Sequence, residues 1–449
     1  MRKQNIMKKF VILLSSALLL WDCGAYDPGY GGSLQRGTKG RALRYVEMPP
    51  PGMVYIPSGS FLLGMNDQDI TQALNASVKT ITIDAFWMDQ TEITNFEYRQ
   101  FVNYVKDSTS RRLLSEQFEQ FVIENESATE EEQPQLNWRA RINYRDEEQQ
   151  EILNSMNYSV EEALLGRREV DVRRLVYEYA WIDVYQAAKT RYDYDQQRYV
   201  GTIINASGEV EDVKNRSSFI VRDRTLIYPD TLCWIRDFIY SYNDPFATRY
   251  FWHPAYNDYP VVGVTWKQAS AFCRWRTDIM ENSRNKYLKG GHGYRLPSEV
   301  EWEYASRGGL QGQLYPWGGP YTTNKEGCYL ANFKPQRGKY SLDGGVRTVP
   351  VGSYDPNDFG LYDMAGNVAE WTANAYDENA YSFYHDMVPS YTYNAKATDP
   401  AVKKRKAIRG GSWKDIAYFL QCGVRTFEYQ DSARSFIGFR CVRDYMGSR

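Results

Sequence analysis

Histidine is scarce in this 449-residue chain, with three in all, His253, His292 and His385, far apart in sequence. So thin a set argues against a His-rich zinc or iron centre. Excess charge of either sign is also missing. Lys and Arg total 54 against 56 Asp and Glu, for a net charge of -2. That balance gives no electrostatic case for nucleic acid as a partner. Apart from Phe10 to Trp21 there is no long apolar run, and that one is too short to span a bilayer as a stable helix. What the chain has in quantity is aromatic residues, 15% of the total with 37 Tyr and 12 Trp. Such a composition suits a folded, surface-interacting protein and argues against disorder.

The start of the chain reads as a targeting segment. Arg2, Lys3, Lys8 and Lys9 precede the apolar run, and Cys23 follows it closely. A Cys in that place resembles a bacterial lipoprotein signal, in which the thiol takes a lipid, although Asp22 stands where such signals usually carry a small residue. Residues 1–22 are therefore expected to be a signal peptide and Cys23 the lipidation site. Residues 23–52, with Gly29, Gly31, Gly32, Gly37, Gly40 and Pro49-Pro50-Pro51, read as a linker. Of six Cys, a lipidated Cys23 leaves five, so at least one stays unpaired within the chain.

Past the linker, Met53 to Gly64 and Ile81 to Trp87 carry strand patterns. Three helix starts have a mechanism: Thr94 with Glu97, Thr265 with Gln268, and Ser298 with Glu301 each form a capping-box pattern. Glu299, Glu301 and Glu303 follow the third, and acids near the positive end of a helix account for them without catalysis. Ser159 with Glu162 predicts a further helix running to Trp181. Val200 to Val221 predicts a hairpin about Ser207-Gly208, and Glu124 to Gln135 a loop.

The organising stretch is FGLYDMAGNVAEW, Phe359 to Trp371. Its Gly366-Asn367 turn separates Asp363 from Glu370. Two readings stand side by side: a tight turn with both acids solvated, or a turn aiming oxygens at a hard cation. Around it come TEITNFEYRQFV (Thr91 to Val102), PVVGVTW (Pro260 to Trp266), RLPSEVEWEYASRGG (Arg295 to Gly309), RGGSW (Arg409 to Trp413) and IGFRCVRD (Ile437 to Asp444). In this order they resemble the formylglycine-generating enzyme, or sulfatase-modifying factor, superfamily. The resemblance implies an irregular α+β fold, related to C-type lectins, over residues 53–107 and 258–449. A long mixed helix and strand insertion, 108–257, interrupts it.

Several further expectations come from that resemblance alone. Cys273 and Cys441 match a disulfide of the superfamily. One structural Ca²⁺ would lie on Asp363, Glu370 and the carbonyls of Gly366 and Val368. A second would lie on Asn332, Asp343 and the carbonyls of Phe333 and Gly345. The aerobic enzymes hold copper between two cysteines that precede a Cys-x-x-Arg. Here Ser412 to Gln421 holds no cysteine before Cys422, and soft metals require the thiolates. The chain is accordingly expected to be catalytically inactive.

The Tyr- and Arg-rich insertion reads as a partner surface. Together with PPPGMVYIPSGSF it resembles the K lipoproteins of the type IX secretion and gliding machinery. That narrower resemblance implies a lipid-anchored scaffold on the periplasmic face of the outer membrane. Such a scaffold would form homo-oligomeric rings with a periplasmic N-type partner. The alternatives are an exported oxidase of the formylglycine type and a lectin-like module binding glycans or peptides.

Overall fold

Alternation in Met53–Ile56 and Gly59–Leu63 places Ile56, Phe61 and Leu63 inside, and both segments are strands. The computed structural model describes residues 47–65, 75–123, 135–163, 166–204, 210–240, 243–283 and 292–447. The leader, Cys23 and most of the 23–52 linker lie outside them. So do nearly all of the 124–135 stretch and the Ser207-Gly208 tip. Pro49–Tyr445 clusters as one unit, with 1–48 and 446–449 making up the other.

Two four-stranded sheets hold the larger unit. The first runs Met53–Ile56, Phe86–Asp89, Val442–Asp444, Tyr294–Arg295, antiparallel throughout. The second runs Thr426–Tyr429, Arg405–Arg409, Ala369–Ala375, Ile437–Gly438, and its last pairing is parallel. All three capping boxes are present, opening the helices Asn95–Ser115, Trp266–Glu281 and Glu299–Ser306. The first two helices pack aromatic faces together. Tyr98 stacks on Phe272 at 5.6 Å, and Phe101 lies 5.2 Å from Trp275. Rings at these separations add directional attraction to the area they bury.

The expected helix through Trp181 is corrected. Ser159 does cap Glu162, but only one turn follows. Val176–Ile182 is instead a strand, antiparallel to Ile220–Leu226. Tyr177, Tyr179 and Trp181 recur every second residue and stack in a row on one face of it, with centroids 5.7 and 5.6 Å apart. Period two with aromatics favours a pleated surface over a helix. Further along, Thr202–Ile204 pairs with Val210–Asp212.

The acids of Glu299–Ser306 also require correction, because they do more than sit near a positive helix end. Glu299, Glu301 and Glu303 are all buried, and each meets arginine. Arg425 Nε and Nη2 reach Glu299 at 2.6 and 3.0 Å, and Arg295 holds Glu301 through two 2.7 Å bonds. Glu303 takes Arg307 at 2.6 Å and is bonded to Arg409 as well. Burial pushes the Glu303 carboxyl up, but Arg307 and Arg409 outweigh it and hold the group below its ordinary value. Removing one member strands the others in a water-free interior. Glu303→Ala should therefore lower the unfolding free energy by about 3–5 kcal/mol, read by urea denaturation. A loss under about 1 kcal/mol, the range of an exposed pair, would show that the arginines find other partners.

Candidate functional site

The Phe359–Trp371 stretch folds as a turn that feeds the strand Ala369–Ala375. Asp363, Gly366 and Asn367 take positive φ of 54°, 82° and 55°. At Gly366 a Cβ would stand 2.3 Å from the Asn332 carbonyl oxygen, so only glycine fits. Asn367 then ties three segments together. Its backbone N–H donates to Asn332 O at 2.8 Å, its Nδ2 to Glu92 at 2.8 Å, and its Oδ1 accepts from Val349 N–H at 3.0 Å.

Neither Asp363 nor Glu370 is solvated, so the reading of a tight turn with two exposed acids is not what the fold contains. Glu370 faces a guanidinium: Arg440 Nε lies 2.8 Å from both carboxylate oxygens, and Nη2 is 2.6 Å from Oε1. The Trp302 indole N–H adds a bond of 2.8 Å. Asp363 Oδ2 accepts from Gly352 N–H at 2.6 Å. A third acid joins them. Glu92 is fully buried and accepts from Val368 N–H at 3.1 Å. Burial, then Asp363, then Glu370 push its carboxyl well above the ordinary range, with Arg440 opposing. Burial likewise raises Asp363 to about 6. Three buried carboxylates thus share one guanidinium, leaving a surplus of negative charge.

The second expected set also comes together. Asp343 Oδ2 accepts from Phe333 N–H at 2.6 Å and Oδ1 from Gly345 N–H at 3.3 Å. Asn332 donates to Arg347 O at 2.8 Å and to Asn367 Oδ1 at 3.2 Å, which joins this loop to the first turn. Both sets offer oxygen donors, the kind Ca²⁺ takes. Among the described residues no three His, Cys, Asp or Glu side chains converge on a metal position. Ca²⁺ at Asp363 and Glu370, or at Asn332 and Asp343, would therefore lean on the carbonyls of Gly366, Val368, Phe333 and Gly345. At the first set Arg440 already balances Glu370.

The loop from Ser412 to Cys422 does not fit copper. Asp415, Tyr418 and their neighbours supply no thiol, and Cys422 is a single buried one, pushed up by burial. The loop is also packed from outside. Trp413 stacks on Trp234 and Phe238, each at 5.7 Å, and Lys414 Nζ reaches Asp237 at 2.5 Å. Cys273 and Cys441 do meet, as free buried thiols with Sγ atoms 3.4 Å apart.

Sequence reasoning missed Glu92 and Arg440 as site residues, although both stand inside quoted motifs. Each shares its motif with other charged residues, Glu97 and Arg99 in one and Arg443 and Asp444 in the other, so no local signal singled it out. The burial of Asp363 has a pH consequence. Between about pH 4 and 6 folded Asp363 holds a proton that the unfolded chain, with its ordinary value of 3.8, releases. Stability from this group therefore falls as pH rises through that window. Asp363→Asn suits the positive φ and removes the charge. The variant should melt higher than the parent at pH 7, and the gap should close towards pH 4. A gap constant with pH would separate the titration from Asp363.

The sulfatase-modifying factor enzyme 1-like domain family matches residues 41–163 and 235–445. Formylglycine-generating enzyme of Mus musculus is 26% identical over 453 residues, spanning 96% of this chain and 88% of its own. Inactive C-alpha-formylglycine-generating enzyme 2 of Bos taurus is 35% identical over 191 residues, or 41% of this chain and 50% of its own. PvdO of Pseudomonas aeruginosa, a solved structure, is 17% identical with a TM-score of 0.42 over 90% of this chain and 99% of its own. The relatives matched along nearly the whole chain are named for an enzyme, and they overturn the expectation of a non-enzymatic secretion scaffold. The scaffold part of that expectation rested on the narrower resemblance to K lipoproteins, and the inactive part on a single loop. The missing thiol pair speaks against one metal chemistry there, whereas the relationship extends through the rest of the fold. With its family match covering both flanks of the insertion, this chain belongs to the sulfatase-modifying factor enzyme 1-like domain family.

Proposed function

We propose that this protein works in formylglycine generation, the activity carried in the name of its full-length relatives. The observation that supports the reading is the 26% identity maintained over 96% of this chain and 88% of the mouse relative. The family fold brings the Ser412–Cys422 loop, the Phe359–Trp371 turn and the Glu299–Ser306 helix to one region. Met364 O lies 3.5 Å from where a Gly410 Cβ would stand, and Arg409 bonds Glu303. A polypeptide segment bearing the cysteine to be converted is the substrate class. Within the loop this chain's own residues hold the backbone in place. Ser412 Oγ donates to Asp415 Oδ2 at 2.6 Å, and the Cys422 carbonyl accepts from Arg409 Nη2 at 2.9 Å. No step is assigned to copper, since the loop cannot offer it two thiolates.

Incubation of the purified protein with a cysteine-bearing sulfatase peptide, with and without copper, tests the reading. Aldehyde formation detected by hydrazide trapping and mass spectrometry, above a metal-only control, is the expected result. Its absence under both conditions sinks the proposal.

The leader and the resemblance to K lipoproteins support a location as well. We place the protein in the outer membrane, on the periplasmic face, held by a lipid on Cys23. Cys23→Ala should move it from the membrane to the soluble fraction or leave its precursor uncut. A variant that fractionates and migrates like the parent would remove the anchor from the account.

A further inference from the structure

A cavity of about 340 Å³ lies where the strand Val176–Ile182 meets the helix Trp266–Glu281. That is the lower end of the range for small-ligand sites. One wall is the aromatic row of the strand, Tyr179 and Trp181. The facing wall is Trp266, Tyr294 and Leu296. The strand falls in the stretch between the two family-matched segments, 41–163 and 235–445. Tyr179, Trp181 and Asp223 of its lining thus come from residues the family match does not cover, and the loop at Ser412–Cys422 contributes none of it.

The walls are flat and held in place. Trp266 donates its indole N–H to Thr372 O at 2.8 Å and carries Lys406 Nζ 3.6 Å over its ring centroid. Tyr179 is stacked between Tyr177 and Trp181. The guanidinium groups at the rim are paired: Arg274 meets Asp278 at 3.2 Å and Arg295 meets Glu301 at 2.7 Å. Asp223 accepts from the Arg224 backbone N–H at 2.8 Å. Lys267 is half-buried and, among the described residues, without an acidic partner. Burial and the nearby Lys267 together pull the Lys406 amine down to about 7. Lys267 and the Lys406 amine thus lie by the same aromatic wall, and among the described residues neither forms an ion pair with a carboxylate.

We propose that this cavity binds a small ligand made of an aromatic ring bearing a carboxylate. The ring lies between Trp181 and Trp266, and the carboxylate pairs with Lys267. Stacking offers a tryptophan-sized ring the offset and edge contacts such rings favour. The carboxylate supplies the negative charge that Lys267 lacks, as a charge-assisted bond. A free aromatic acid and the C-terminal aromatic residue of a peptide share this chemistry.

Calorimetric titration of the intact protein with indole-3-acetate tests the inference, with neutral indole-3-acetamide as its isostere and Gly-Gly-Trp as the peptide form. Saturable binding of the acid is expected. Lys267→Gln should weaken it about tenfold or more, in line with loss of one charge-assisted bond, and Trp181→Ala by a similar factor. Both positions reach solvent, and circular dichroism confirms that each variant folds. Tighter binding of Gly-Gly-Trp identifies a chain terminus as the source, and tighter binding of indole-3-acetate a free acid. The inference is overturned if no saturable binding occurs, if the amide binds as tightly as the acid, or if either variant binds like the parent.

Discussion

Charge without water is the constraint this fold is arranged around. Glu299, Glu303 and Glu370 are inaccessible, and so are their partners Arg409 and Arg440. An isolated carboxylate in such a place is costly, whereas one paired and fully hydrogen-bonded is tolerable. The pairs also specify geometry. Arg440 can embrace Glu370 only if the 437–444 segment lies against the Phe359–Trp371 turn, and Arg409 can reach Glu303 only if its strand crosses the Glu299–Ser306 helix. A hydrophobic core tolerates many similar packings. These ion pairs remove most of the alternatives.

The turn at Gly366-Asn367 extends the same logic into the irregular half of the molecule. Loops carry backbone polar groups that no sheet satisfies. Here one amide side chain does that work for several segments, since Asn367 serves Glu92, Val349 and Asn332 together. The acids beside it remain more numerous than the arginines. Burial above all makes Asp363 and Glu92 bind protons more readily than exposed carboxylates do, and at Glu92 the neighbouring acids add to it.

Much of the scaffold was legible because its signals are local. Thr94, Thr265 and Ser298 each announce a helix three residues ahead of an acid or amide, and each helix begins there. The insertion was harder to read. Ser159 and Glu162 carry the same local signal, yet the chain makes one turn and moves on, because Tyr177, Tyr179 and Trp181 gain more from pairing with the 220–226 strand. The site was half legible. Asp363 and Glu370 announce themselves through spacing, but Glu92 is brought to them from 276 residues away. The surroundings of Glu370 depend on Arg440 and Trp302, which no local pattern connects to it. The aromatic cavity was invisible for the same reason, since its two walls come from separate segments.

The order of strands in the first sheet has a consequence for how the chain comes to be folded. Phe86–Asp89 sits between Met53–Ile56 and Val442–Asp444, and Cys441 N–H bonds to Asp89 across 352 residues. The early strands can pair by themselves, but an isolated two-stranded pair is only marginally stable in water. Their lasting partner is synthesised far further along the chain, as the 352-residue span from Asp89 to Cys441 shows. Such long-range closure slows folding, because the loop entropy is lost before the contacts that compensate for it are made. The nascent chain therefore keeps an open sheet edge and a half-built core until the strand Val442–Asp444 arrives. That interval is when an unfolded polypeptide can still be threaded through a membrane, and also when it most needs protection from its neighbours.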